Sequence, residues 1–181
     1  IKKGNKKMKR LLTAIATAVL DVSAYCNGVA NWTDSAGVTW EFSYIDQDSL
    51  NEAHILGAEG YTDTLNIPGK FEVGETQYTV YVIRSDVFKQ ATGIKTVVIP
   101  DGLATIESGA FNGCTGLTSL KLGSTVDFIG EDAFRGCTGL RYLTIPASVW
   151  GIEGGAFADC NSLSQVKFNG GLLTGEGLEE A

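Results

Sequence analysis

The chain has 181 residues, 44% hydrophobic and 19% charged, which is enough apolar matter for a core and too little charge for a disordered chain. Six of its 14 basic residues fall within residues 1–10, and only one of its 21 acidic residues, Asp21, precedes residue 25. Residues 25–181 therefore carry eight basic and twenty acidic residues, a net of −12 that phosphate backbones and anionic lipid repel, so nucleic-acid and membrane-surface binding are set aside.

At the N-terminus, Met8-Lys9-Arg10 is followed by the apolar run LLTAIATAVL (11–20) and then by Val22-Ser23-Ala24. A charged head, a short apolar stretch and a small-x-small site form the pattern of a secretory signal. Ten apolar residues are too few to span a bilayer, which needs roughly 20. Residues 1–24 are read as a signal peptide cleaved after Ala24, with Met8 as the start. The mature chain is expected to insert no segment into a membrane. A lipid anchor at Cys26 is disfavoured because the bulky Tyr25 precedes it.

Residues 25–80 read as a β-rich N-terminal cap. Strands are predicted over VTWEFSYI (38–45), EAHILGA (52–58), DTLNIP (63–68) and QYTVYVI (77–83), with turn signals at Asp34-Ser35-Ala36-Gly37 and Gly74-Glu75. Leu65-Asn66-Ile67-Pro68 repeats the ending of Val97-Val98-Ile99-Pro100 and reads as a degenerate first coil. The segment ETQYTVYVI is then an added hairpin arm. A cap is needed because a bare end coil exposes apolar surface and an open strand edge.

From residue 81 to 170 the sequence repeats every 23 residues. The octets AFNGCTGL (110–117) and AFRGCTGL (133–140) differ at one letter. Five apolar columns keep register without a gap. They are headed by Ile83, by the pair Val87-Phe88, and by Ile94, Val97 and Ile99. Such a period with an L-x-x-L-x-L core marks a leucine-rich solenoid of about four coils. Each coil contributes a short strand whose apolar residues face in, as Leu120 does with Lys121 opposite, and pairs with the next coil at ~4.8 Å. The Ala-Phe pair is expected to open a helical or 3₁₀ turn, with the phenylalanine inside. Residues 171–181 form a C-terminal tail.

The segments IESGAFNGCTGLTSLKLG, IGEDAFRGCTGLRYLTIP and IEGGAFADCNSLSQVKF resemble the BspA-type leucine-rich repeat, I-x-x-x-A-F-x-x-C-x-x-L-x-x-L-x-I-P. The resemblance covers residues 81–168. It departs from the pattern at Ala91, where the cysteine belongs, and at Gly123, where proline is usual. It implies a bacterial surface or secreted protein, most familiar among Bacteroidetes, associated with adhesion to host proteins or other cells.

Cys114, Cys137 and Cys160 line up as a ladder. In-register copies point their Cβ atoms the same way, which disfavours the dihedral of a disulfide. A buried, reduced packing ladder is expected, with a disulfide between two rungs as the alternative. The single histidine, His54, leaves no Ser-His-Asp constellation and no zinc ligand set. Asp46, Asp48 and Glu52 lack the glycine and glutamate spacing of a calcium loop. Glu107, Glu131, Asp132 and Glu153 read as a solvated acidic edge.

The recognition candidates are the outward strand positions Ser119, Lys121, Tyr142, Thr144, Gln165 and Lys167, with Arg141 beside Tyr142 as the best local anchor. Tyrosine and arginine are frequent binding anchors, although β-formers also serve the strand itself. No nucleophile, base and oxyanion donors assemble, so no enzyme, cofactor or metal is expected. The expectation is a monomeric, exported module that binds a protein, host surface or matrix proteins among the candidates. The alternative is a structural spacer or a fragment of a larger surface protein.

Overall fold

The structure, a computed structural model, describes residues 28–47 and 50–170. The expected signal peptide, Cys26 and the tail 171–181 lie outside the described residues. The chain is a mainly-β solenoid, and no helix occurs among the described residues.

Six strands open the fold: β1 (Gly28–Thr33), β2 (Thr39–Gln47), β3 (Leu50–Glu59), β4 (Thr64–Asn66), β5 (Lys70–Val73) and β6 (Thr76–Ile83). Strands β1, β2 and β3 form an antiparallel meander, and β5 pairs antiparallel with β6. Asp34 sets the first turn. Its Oδ1 accepts from the backbone N–H of Ala36 (2.9 Å) and Val38 (3.0 Å), and its Oδ2 accepts from Trp40 Nε1 at 3.0 Å. Partial burial opposes ionisation, but these hydrogen bonds outweigh it and hold the carboxyl below its usual value. Trp40 and Phe42 are fully buried, and Phe42 stacks on Phe71 with centroids 4.0 Å apart.

The repeats follow as β7 (Thr96–Val98), β8 (Thr105–Ile106), β9 (Ser119–Lys121), β10 (Phe128–Ile129), β11 (Tyr142–Ile145), β12 (Gly151–Ile152) and β13 (Gln165–Phe168). Strands β4, β7, β9, β11 and β13 line one side of five stacked coils. Leu65 pairs with Val97, so LNIP is the first coil, as its resemblance to the later strand endings suggested. Sequence reading had no signal for the second parallel ladder, β6-β8-β10-β12, on the return side. Each junction pairs two residues, and the pairs end on the isoleucine column Ile83, Ile106, Ile129 and Ile152; β8, β10 and β12 are only two residues long. Because β3 pairs parallel with β6, the cap meander and this ladder form one eight-stranded sheet.

The Ala-Phe segments form turns, not helices, and the hydrogen bonds give the reason. Alternate N–H groups leave the coil: Gly109 donates to Glu131 O, Phe111 to Ala133 O and Gly113 to Arg135 O, at 2.7–2.9 Å. The groups between them close locally, Asn112 to Gly109 O and Cys114 to Phe111 O. A helix would turn every N–H back into its own coil and leave this side unlinked. The alternation needs left-handed backbone at two places per coil. Asp86, Gly109, Asp132 and Gly155 fill one column, and Gln90, Gly113, Gly136 and Asp159 the other, all at positive φ.

Inside the turns the phenylalanines stack. Phe88, Phe111, Phe134 and Phe157 follow one another with centroids 5.1, 5.2 and 5.3 Å apart and interplanar angles of 16°, 3° and 2°. Near-parallel rings at that separation are offset-stacked, the favourable arrangement, and their spacing is close to the ~4.8 Å between paired strands. The coils also press backbone on backbone. A Cβ on Gly116 would overlap the Thr92 carbonyl, and one on Gly123 the Pro100 carbonyl. Gly123 therefore departs from the usual proline at a place where no side chain fits.

Two consequences are measurable by urea unfolding. Phe134→Ala, in mid-ladder, is expected to cost about 3–5 kcal/mol. Gly116→Ala should cost about 1–3 kcal/mol by overpacking. Gly93→Ala, at the same place in the preceding coil, has open space around it and should change stability by less than about 0.5 kcal/mol. Equal effects at Gly93 and Gly116 would show that coil-to-coil contact is not what requires glycine.

Candidate binding face

On the strand side, inward and outward residues alternate. Val97 and Leu143 are buried and Leu120 and Val166 are partly buried against the core. All seven candidate residues, Ser119, Lys121, Arg141, Tyr142, Thr144, Gln165 and Lys167, are exposed. Register brings Ser119 beside Thr96 and Lys121 beside Val98. It also brings Tyr142 beside Gln165 and Thr144 beside Lys167. Tyr142 is the most exposed large apolar side chain described, at 64%.

The face is not one continuous sheet. Strands β4-β7-β9 form one ladder and β11-β13 another, and no pairing joins β9 to β11. At the intact junctions two N–H groups converge on one carbonyl, as Thr118 and Ser119 do on Lys95 O, or Ser164 and Gln165 on Arg141 O. At the seam the coils are held instead by the return-side strands and by the turn bonds from Gly113 and Phe111. Arg141 and Tyr142 thus stand at the first rung of a ladder that abuts, without pairing, the rung carrying Lys121.

Acidic residues mark the corners. Glu107 accepts from Arg84 Nη1 at 2.9 Å and from the Ser85 N–H and hydroxyl, one coil back. Glu153 accepts from the Glu131 N–H at 3.0 Å, and Asp101 from the Ser124 N–H at 2.6 Å. What read as a solvated edge is also a set of links between coils. Among the described residues no three His, Cys, Asp or Glu side chains gather as metal ligands. A shallow pocket between Asp34, Thr62 and Asn66 has as its one carboxylate Asp34, which is engaged in the turn.

Residues 77–176 match the family described as "BspA type Leucine rich repeat region", in six copies. The chain belongs to the BspA-type leucine-rich repeat family. It is similar to the crystal structure of a leucine-rich repeat protein from Bacteroides capillosus. The two share 26% identity and a TM-score of 0.66, over 77% of this chain and 99% of that one. A leucine rich cell surface protein from Faecalibacterium prausnitzii matches at 25% identity and a TM-score of 0.58, over 78% of this chain and 43% of that one. The pneumococcal vaccine antigen PcpA shares the fold at 19% identity and a TM-score of 0.63, over 77% of this chain and 38% of that one. The chain thus spans less than half of the last two structures. No curated protein matches it.

The BspA-type cysteines are free and buried at Cys114, Cys137 and Cys160. Each thiol points to a phenylalanine carbonyl: Cys114 to Phe88 O (3.1 Å), Cys137 to Phe111 O (3.4 Å) and Cys160 to Phe134 O (3.2 Å). The ladder is therefore a hydrogen-bonded packing element. Burial pushes the Cys114 thiol up to about 11, against a smaller pull from a backbone hydrogen bond at Ala91. Its contact with Cys160, and then burial, hold the proton on Cys137. His54 is half-buried on β3. Burial first, and then the Arg84 charge, lower its pKa against the opposing pull of Glu107, so the fold favours the neutral imidazole.

A second exposed surface escaped the sequence reading. On the return side Trp150, 55% exposed, packs against Phe128 with centroids 5.4 Å apart. The Phe128 ring lies over Gly151, whose Cβ would come within 2.8 Å of it. The signal was present: the Trp150 column reads Tyr81, Ala104, Asp127 and Trp150 along the stack, so large aromatics appear there in the first and last copies only.

The thiol geometry sets an alkaline limit. The folded state holds the Cys114 proton to about 11, whereas an ordinary thiol releases it near 9.0. This contribution is complete below the lower value and is lost as pH rises from 9 towards 11. The urea midpoint should fall across that window. Cys114→Ala, which copies the Ala91 of the preceding coil, should flatten the fall, and an unchanged slope would refute the assignment.

Proposed function

We propose that this chain is a non-enzymatic protein-binding module displayed on, or released from, the bacterial cell surface, and that the strand face is its binding surface. The observation that carries the reading is the contrast between the two sides of each strand. Inward positions repeat from coil to coil, because each must pack on its copy. Outward positions do not. Ser119, Tyr142 and Gln165 share one column, and Lys121, Thr144 and Lys167 another. Packing places no demand for such variation, whereas recognition uses it. The surface description of the Faecalibacterium relative supports the location. Binding would rest on shape and polar complementarity, with host surface or matrix proteins as the partners to try.

The test is capture of a panel of host surface and matrix proteins by the purified chain, measured as saturable binding. Tyr142→Ala is expected to weaken capture about tenfold or more, as a central aromatic anchor does. The exposure of Tyr142 means that the same change should leave the melting curve unmoved. Capture that survives both Tyr142→Ala and Lys121→Glu would move the site to another face. A spacer function predicts no saturable capture at all.

A further inference from the structure

We infer that the strand face takes an acidic, extended segment of a partner protein, laid across the coils. The inference rests on the reading above that this face binds protein, and it names the chemistry of what is bound.

Charge placement carries the argument. Residues 28–170 hold eight cations, Lys70, Arg84, Lys89, Lys95, Lys121, Arg135, Arg141 and Lys167, in a body dominated by acids. Four of them form ion pairs: Arg84 with Glu107, Lys89 with Asp86, Lys95 with Asp63, and Arg135 with Asp132 and Asp159. Of the other four, Lys121 and Lys167 point outward on β9 and β13, and Arg141 is exposed immediately before β11. No carboxylate occupies any position of β7, β9, β11 or β13. Among the described residues, Asp63 and Asp101 at the margin of this face are engaged. Asp63 holds Lys95 at 3.3 Å, and Asp101 accepts from the Ser124 N–H and hydroxyl, with Lys121 adding only a weaker pull. The turn side is acidic in balance, with Asp86, Glu107, Glu131, Asp132, Glu153 and Asp159 against Arg84, Lys89 and Arg135. The stack therefore presents a basic strip on one side and an acidic edge on another. That polarity orients an approaching partner, and cations without an ion pair among the described residues, in a stretch where eight cations face seventeen acids for a net of −9, gain most from an acidic one.

Spacing points to an extended peptide. Lys121 and Lys167 share a column two coils apart, roughly 10 Å by strand spacing. Carboxylates two residues apart on an extended chain lie roughly 7 Å from each other, within reach of both flexible side chains. Arg141 adds a planar fork suited to a carboxylate, and Tyr142 beside it adds apolar contact.

The experiment uses the full chain and three labelled peptides of the same length. One alternates Glu with Tyr and Ser; the others carry Gln or Lys in place of Glu. Anisotropy should show the Glu peptide binding at least tenfold tighter than the other two. Lys121→Glu and Arg141→Glu should each weaken it about tenfold or more. Arg135→Glu, on the turn side, should leave it unchanged, and about 0.5 M salt should weaken it strongly. Equal binding of all three peptides, or equal loss with Arg135→Glu, overturns the inference. So does binding of heparin or of phosphatidylserine vesicles without the Glu peptide. If the Gln or Lys peptide binds best and Tyr142→Ala abolishes it, the binding-face reading stands and the acidic-partner inference falls. If no peptide binds and no protein is captured, both fall.

Discussion

Backbone hydrogen bonds pass from coil to coil on the strand side, on the return side and through the turns, and the placement of side chains follows from them. A coil that must meet its neighbour's N–H and C=O groups at fixed points has no freedom in register. Once register is fixed, equivalent side chains stand above one another about one strand spacing apart. The phenylalanine stack and the thiol-to-carbonyl series are consequences of that spacing. Phe111 and Cys137 show the link most directly, since the Cys137 thiol bonds to the carbonyl of Phe111 while the Phe111 ring stacks on Phe134. The same constraint is negative at Gly116 and Gly123, where neighbouring carbonyls come too close for a side chain.

The constraint also acts between unlike residues. The left-handed column reads Asp86, Gly109, Asp132, Gly155 along the stack. A Cβ at Gly109 would collide with the Asp86 carboxylate, and one at Gly155 with the Asp132 carboxylate. An aspartate in one coil occupies the space above the next, so the next must be glycine. Strict repetition would put either four glycines, with their entropic cost, or four crowded carboxylates in this column. The alternation avoids both and leaves the carboxylate of Asp132 to pair with Arg135.

Much of this was legible because the period is exact over four copies. Inward columns showed directly, as did the first coil at Leu65-Asn66-Ile67, since each is a repeated apolar letter. Three things were hidden. The return-side strands after β6 are two residues long, too short for alternation to register. The turn geometry was legible only in part: the local bonds run from N–H to the i−3 carbonyl, as in a 3₁₀ turn, but the neighbouring coil, by taking every second N–H, keeps them from continuing into a helix. The split between β9 and β11 leaves no mark in the period, since both flanking coils have the same length. The candidate face fared similarly: which residues point outward could be read from alternation, whereas the pairing of Arg84, Lys89, Lys95 and Arg135 with acids needed three dimensions.

That last point decides how a regular scaffold can be selective. Repetition forces identity on every inward position, so difference can accumulate only outside. Two outer surfaces are available, and they differ in kind. On the return side the aromatic pair Phe128 and Trp150 covers Gly151, and part of its apolar area is spent on that contact. On the strand side Tyr142 stands in the open, flanked by cations that form no ion pair among the described residues. An ion pair already satisfied within the fold has little to offer a partner, because it must be broken or left in place. A cation on or beside a rigid strand and without such a pair carries no pair-breaking cost, and the ladder beneath it already orders its backbone, leaving only the side chain to be fixed on binding. The strand face therefore combines exposure, rigidity and unspent charge in a way that the turn side, with its closed salt bridges, does not.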